Sequence, residues 1–244
     1  MGAGQRNASP KMTPSPSQRS LDARLDRGRV REVYRSIAPV YDLWARLTES
    51  KARSRCLELA RIQDGESVLE VAVGTGLAFA QILAANPHGR NDGIDLTQEM
   101  LLRARRRAER SGVHTYRLEL GDAHKLDYPA HTFDVLLNNY LFDLLPEEDF
   151  PAVLGEFMRV LRPGGRLVIA NMTRAAHWYE RGWELLYRLN PAWLGGCRGV
   201  SLRPYLESAG FQDVTHELIR QLTFPTEILS AVKPHELRHE ITEG

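Results

Sequence analysis

The stretch from Ser67 to Ala78 constrains this chain more than any other. Val68, Leu69, Val71 and Val73 form a short apolar run rich in β-branched residues, the pattern of a strand buried on both faces. Gly74, Thr75 and Gly76 interrupt it, and Leu77 to Ala85 then reads as a helix. Strand, glycine turn and helix together make the layout of a nucleotide-type ligand site. The glycines let backbone approach a ligand closely, and the helix start presents free N–H groups. Thr75 adds a hydroxyl.

The turn differs from a dinucleotide fingerprint. Gly74 and Gly76 are present, but Phe79 stands where a third glycine would be. Glu70 lies inside the strand, four residues before Gly74, where it would repel a pyrophosphate. It suits a ligand with cationic groups, such as the ammonium and sulfonium of S-adenosylmethionine. Gly93, Ile94, Asp95 and Leu96 read as a second strand with an acid at its end. The interval from Gly76 to Asp95 is close to that of a ribose-binding carboxylate, although Asp95 also sits where a helix cap would.

The remainder alternates strand and helix. Lys51 to Arg61 and Met100 to Ser111 read as helices, the second carrying Arg103, Arg105, Arg106, Arg107 and Arg110 on a solvated face. Tyr116 to Leu120 alternates as a third strand and ends at Gly121 and Asp122. Asp122 is placed either to accept from an adenine amine or to close a turn. Phe133 to Leu137 is a fourth strand ending in Asn138, Asn139 and Tyr140. Glu147 to Leu161 is helical, Pro163 to Gly165 a turn, and Arg166 to Ala170 a fifth strand. A short helix from Leu202 to Ser208 follows. Gln212 to Arg220 and Thr223 to Val232 are so closely joined that they must pair antiparallel. The fold class is therefore α/β: a Rossmann-like doubly wound sheet, mostly parallel, with a C-terminal antiparallel hairpin and helices on both faces.

A chain of 244 residues with net charge +1 fits one domain and carries no global basic field for nucleic acid. Residues 1–20, rich in Ser, Pro, Gly and Arg, read as a disordered tail. Residues 21–244 read as a single domain with an N-terminal helical cap (21–62) and a lid insertion (171–200). Cys56 and Cys197 are far apart, which excludes a disulfide framework or cysteine-based zinc site and fits a cytoplasmic protein. No metal site is expected.

Several pieces in order resemble the class I S-adenosylmethionine-dependent methyltransferases, in the branch of the ubiquinone and menaquinone C-methylases. They are Ile37 to Asp42, Val68 to Gly76, Gly93 to Asp95, Gly121 to Ala123, Thr132 to Asp134 and Leu161 to Gly165. The resemblance covers roughly residues 30 to 233 and implies S-adenosylmethionine as cofactor. It implies that Gly74, Thr75 and Gly76 hold the methionine part, with Glu70 near its ammonium. Asp95 would hold the ribose, Leu96 and Met100 would pack the adenine, and Asp122 and Ala123 would meet its edge. Asn139 would lie near the sulfonium, and Tyr41 would close over the cofactor.

The acceptor side, Asn138 to Asp143, departs from the quinone C-methylase pattern. The candidate bases by placement are His177, Tyr140 and Asp143. Trp183 and Tyr187 share a helical face with Tyr179 and Leu186, readable as core, as an acceptor wall or as a peripheral membrane contact. Arg198 reads as a grip for a substrate phosphate or carboxylate, or as a structural arginine. The expected function is methyl transfer to a small lipophilic acceptor, a quinone-like or phenolic ring. The alternatives are a phospholipid head-group N-methyltransferase, a nicotinamide-dependent oxidoreductase and a non-catalytic cofactor-binding protein. A monomer or a homodimer is expected.

Overall fold

The computed structural model describes residues 47–173, 198–222 and 224–235. Helix α1 (Ser50–Ala60) leads into strand β1 (Ser67–Val71), helix α2 (Leu77–Ala85) and strand β2 (Arg90–Asp95). Helix α3 (Gln98–Glu109), strands β3 (Tyr116–Leu120) and β4 (Phe133–Asn139), and a single 3-10 turn (Glu147–Asp149) follow. Helix α4 (Phe150–Val160), strand β5 (Leu161–Met172), helix α5 (Arg203–Ser208) and strands β6 (Gln212–Gln221) and β7 (Phe224–Val232) complete it. The seven strands are ordered β3-β2-β1-β4-β5-β7-β6. β1 to β5 are parallel, while β7 runs antiparallel to both β5 and β6. The expected mixed sheet and terminal hairpin are borne out.

Period-two alternation divides the core. Leu69, Val71, Leu136, Ile169 and Leu229 face a layer containing Phe142, Phe150, Phe157 and Leu206. Val68, Val135, Leu137, Val168 and Ile228 face the opposite way, against Cys56, Phe79, Ile82, Leu101 and Ala104. Two-sided burial explains why the central strands read as apolar runs. β1 has β2 on one side and β4 on the other, so the order in which strands are added reverses at it. In such sheets ligands bind at the carboxyl ends of the strands beside this switch.

Some boundaries differ from expectation. β2 begins at Arg90, three residues before Gly93, because its first half is polar yet tied down. Asn91 is buried and donates to the carbonyls of Asn86 and Thr115, while Arg90 pairs with Asp92 at 2.7 Å. β1 ends at Val71 and not Val73. Ala72 turns to φ 60°, and the Val73 N–H bonds the Ile94 carbonyl at 2.9 Å. Strand β5 runs through the expected turn. Its register against β4 jumps from Phe133↔Leu161 to Val135↔Arg166, so Pro163 to Gly165 form an outward bulge inside one strand. The helix expected over Glu147 to Leu161 is a 3-10 turn followed by α4.

The tail (1–20) and most of the expected cap lie outside the described residues. Of the lid insertion, Asn171 and Met172 belong to β5, and 174–197 lie outside the description. Among the described residues no helix is long and apolar enough to cross a membrane, and none group as a metal site.

Candidate functional site

Two non-glycine residues with positive φ flank the sheet crevice: Ala72 at φ 60° after β1 and Tyr140 at φ 56° after β4. Left-handed backbone at such residues is strained and gathers where chain direction serves a site. Between them the turn runs through Gly74 at φ +55° and Gly76 at φ +80°. A Cβ on Gly76 would stand 2.8 Å from Ala104 Cα, so this glycine is needed both for its conformation and for the contact of α2 with α3.

Asp95 ties the turn to β2. Its Oδ2 accepts the Gly74 N–H at 2.8 Å and its Oδ1 the Thr97 N–H at 2.9 Å. Each carboxylate oxygen has capacity for a further donor, such as a ribose hydroxyl. Asp95 both holds the turn and lines a pocket, and burial holds its carboxyl above the usual range.

Glu70 is 2% exposed at the centre of β1. Asn139 Nδ2 lies 3.5 Å from its Oε1, and its Oε2 has no hydrogen-bond partner among the described residues. Burial pushes its carboxyl up to about 8, against the opposing effects of Asn139 and Arg53. Arg53, from α1, lines the same cavity, and its Nε also lacks a hydrogen-bond partner among the described residues. Glu49, Gly74, Thr75 and Tyr140 complete this wall. A carboxylate and a guanidinium beside a glycine turn form complementary ends for an amino-acid group.

A neighbouring cavity is lined by Asp95, Leu96, Asp122, Ala123, His124 and Leu145. Its apolar sides and acidic edge suit a purine ring. The two cavities measure about 60 and 50 Å³ and share Ala72. The expected Asp95, Leu96, Asp122 and Ala123 meet in one cavity, and Glu70, Gly74, Thr75 and Asn139 in the other. Met100 is buried and lines neither.

Three further residues were not singled out from the sequence. Arg53 sits in a helix with no motif around it. Its spacing to Glu70 has meaning only once α1 packs on the sheet. His124 follows the acidic turn; its Nδ1 is 2.7 Å from Asp122 and its Nε2 2.9 Å from Asp149. Arg107 was read as part of a solvated face. Instead its guanidinium bonds the Thr75 carbonyl and hydroxyl, while Arg105 bonds the Leu118 carbonyl.

The acceptor-side candidates are placed differently from one another. Tyr140 is 5% exposed, its hydroxyl 2.9 Å from Thr226 Oγ1, and burial raises its phenol well above its ordinary range. Asp143 is fully buried, with Oδ2 accepting the Met172 N–H at 3.2 Å. Neither group is poised to take a proton from a substrate in this arrangement. Arg198 is also buried, its guanidinium on the Leu145 carbonyl and 6.0 Å from the Phe150 ring centroid. It takes the structural position rather than that of an exposed grip. Tyr41, His177, Trp183 and Tyr187 lie outside the described residues.

Residues 68–165 match the family described as a methyltransferase domain. This stretch, about two fifths of the chain, is similar to a methyltransferase domain. The match begins in β1 and ends in the β5 bulge, so it contains the glycine turn, Asp95, Asp122 and Asn139. The methyltransferase likeness read from the sequence is thereby borne out, and such methyltransferases take their methyl group from S-adenosylmethionine. A phosphatidylethanolamine N-methyltransferase of Cereibacter sphaeroides is 37% identical over 138 residues, 54% of this chain and 63% of that protein. A demethylmenaquinone methyltransferase of Thermus thermophilus is 36% identical over 141 residues, 56% of this chain and 63% of that protein. The chain thus spans under two thirds of the length of each. Among solved structures, the cyclase SpnF superposes with a TM-score of 0.67 at 19% identity, over 85% of this chain and 96% of that one. The methyltransferase SibL superposes with a TM-score of 0.61 at 20% identity, over 79% and 56%. These two likenesses show the fold alone and not its chemistry.

The raised Glu70 carboxyl has a measurable sign. Below about pH 4.5 it is protonated folded and unfolded alike; between about 4.5 and 8 only the unfolded chain releases the proton. Its contribution to stability therefore falls as pH rises through that window. Glu70→Gln is expected to flatten this part of the pH–stability curve. Binding a ligand ammonium to ionised Glu70 near pH 7 is expected to release a proton, so affinity should rise towards pH 8. Titration calorimetry in two buffers of different ionisation enthalpy reads that proton, and an unchanged signal in Glu70→Gln would remove Glu70 from the ligand site.

Proposed function

We propose that this chain transfers a methyl group from S-adenosylmethionine to a small lipophilic acceptor with a quinone-like or phenolic ring. The observation that carries the donor half is the pair of incompletely hydrogen-bonded buried charges, Glu70 and Arg53, on the wall of the glycine turn. A nicotinamide dinucleotide would bring a pyrophosphate to Glu70. The third glycine that would accommodate it is absent, which disfavours the oxidoreductase alternative. The acceptor half is supported by the demethylmenaquinone methyltransferase among the relatives.

S-adenosylmethionine, when bound, supplies an electrophilic sulfonium methyl group. Asp95 holds and orients the ribose, Asp122 meets the adenine edge, and Leu96 and Ala123 pack its faces. Glu70 accepts from the ammonium, and Arg53 takes the carboxylate. Asn139 lines the same wall near the sulfonium. The chain's main work is then to align the acceptor with the methyl carbon and exclude water. A proton acceptor is needed only when the acceptor atom loses a proton. The single-domain organisation with a cap (21–62) and lid (171–200) belongs to the same proposal.

A second reading, methylation of a phospholipid head group, is favoured by the Cereibacter sphaeroides relative. Transfer of labelled methyl to a panel of quinols, phenols and phosphatidylethanolamine vesicles separates the two. Turnover of quinols or phenols is expected; turnover of vesicles alone would transfer the assignment to the lipid. In the same assay His177→Ala is expected to lower kcat at least about tenfold, the usual scale for a general base, with unchanged S-adenosylhomocysteine affinity. Unchanged kcat would remove His177 from the reaction.

A further inference from the structure

A larger cavity, about 220 Å³, opens where β5 ends and β7 begins, with Thr173, Ser201, Arg203, His216, Arg220 and Glu227 in its wall. Glu227 is 3% exposed. Its Oε1 accepts the Leu202 N–H at 3.2 Å, and its Oε2 lies 3.3 Å from His216 Nε2. Burial, with Asp143 adding to it, pushes the carboxyl up to about 7. A buried carboxylate with so few partners costs stability, and the hairpin could carry an apolar residue there instead.

A second observation stands beside it. Asn171 of β5 pairs directly with Glu227 of β7, so the two side chains share one face of the sheet. Asn171 is fully buried, and neither atom of its amide is hydrogen bonded among the described residues. Orphaned buried amides are rare and costly. Charge around the cavity is mixed. Arg203, held by Glu207 at 2.9 Å, and Arg220 are exposed in its wall, while Glu227 is buried beside Asn171. A lone anion would meet Glu227, and a lone cation would meet the arginines. One hydrogen bond links the two walls: Thr226, which lines this cavity, bonds Tyr140, which lines the glycine-turn cavity.

We propose that this cavity is a head-group subsite for a small zwitterion, with its ammonium at Glu227 and its phosphate at Arg203 and Arg220. The inference goes beyond the acceptor readings given above: Glu227 lies on the face of the sheet opposite Glu70 and Asn139, so a head group held here is bound and not methylated. The same amine-and-phosphate chemistry occurs free, as phosphoethanolamine, and on a lipid surface.

The test is a calorimetric titration of the full chain with phosphoethanolamine, ethanolamine and inorganic phosphate. Flotation with phosphatidylcholine vesicles, with and without phosphatidylethanolamine, tests the lipid source. Saturable binding of phosphoethanolamine, or of the phosphatidylethanolamine vesicles alone, is expected and identifies the source. Glu227→Gln keeps an acceptor for Leu202, and Arg220→Gln changes an exposed side chain. Each is expected to weaken that binding at least about tenfold, the scale of one lost charge-assisted contact. S-adenosylhomocysteine affinity, measured on the same samples, should stay unchanged and doubles as the folding control. Binding of neither source, equal binding by inorganic phosphate alone, or variants that bind like the parent would overturn the subsite. Loss of the zwitterion with S-adenosylhomocysteine still bound sinks the subsite alone; failure of the parent chain to bind S-adenosylhomocysteine sinks the methyltransferase reading.

Discussion

Asp95→Ala is expected to weaken S-adenosylhomocysteine binding by about 100-fold, or about 2.7 kcal/mol. The residue has two functions that the substitution removes together. It presents carboxylate oxygens to the proposed ribose position, and it holds the glycine turn through Gly74 and the start of α3 through Thr97. Asp95→Asn separates them, because an amide oxygen still accepts from one backbone N–H. The asparagine variant should melt closer to the parent than the alanine variant while still binding the ligand weakly. Calorimetry and thermal melts on both variants check this. An alanine variant that binds like the parent would place the ribose elsewhere.

Gly76→Ala is expected to be the most destabilising single methyl addition in the site, at about 2–5 kcal/mol. About 1–2 kcal/mol of this comes from forcing a side chain into the left-handed region, and the rest from overpacking. The overpacking is rigid, because the nearest atom to the new Cβ is backbone, Ala104 Cα at 2.8 Å. Gly65 is the control. It too has positive φ, +97°, but a Cβ there meets nothing within 4 Å. Gly65→Ala should therefore show only the conformational part. Chemical denaturation of both variants reads the difference. Equal losses would mean that α2 and α3 separate readily at this contact.

The central layers of the fold were legible because burial on both faces leaves a plain mark. β1 and β4 carry that mark as apolar runs, while the edge strand β3 and helix α2 are legible from their own periodicity. β2 was half hidden because Asn91 and Asp92 satisfy their polar groups locally, so its first residues do not look like a strand. The proposed cofactor side was legible because it is local: Glu70, the glycines, Asp95 and Asp122 each sit at the end of, or inside, one readable element. Arg53, His124 and Arg107 reach the site from other elements, and pairwise distances between elements are not written in spacing. Arg107 shows the limit most clearly, since a run of arginines on a helix looks solvated whether or not one of them folds back. The acceptor side was least legible. Tyr140, Asp143 and Arg198 have the chemistry of catalysis and recognition, yet tertiary packing occupies all three with internal partners.

The proposed function requires that the glycine turn hold an adenosyl amino acid and not a dinucleotide. Thermal stability of the full chain with S-adenosylhomocysteine, S-adenosylmethionine and NADH, each from micromolar to millimolar, tests it most directly. A ligand at about 100 times its Kd adds roughly 2.7 kcal/mol, a shift of several degrees for a domain of this size. Stabilisation by both adenosyl-sulfur ligands, absent with NADH and lost in Asp95→Ala, is the predicted result. Stabilisation by NADH alone would contradict the assignment of Glu70, Arg53 and Asp95.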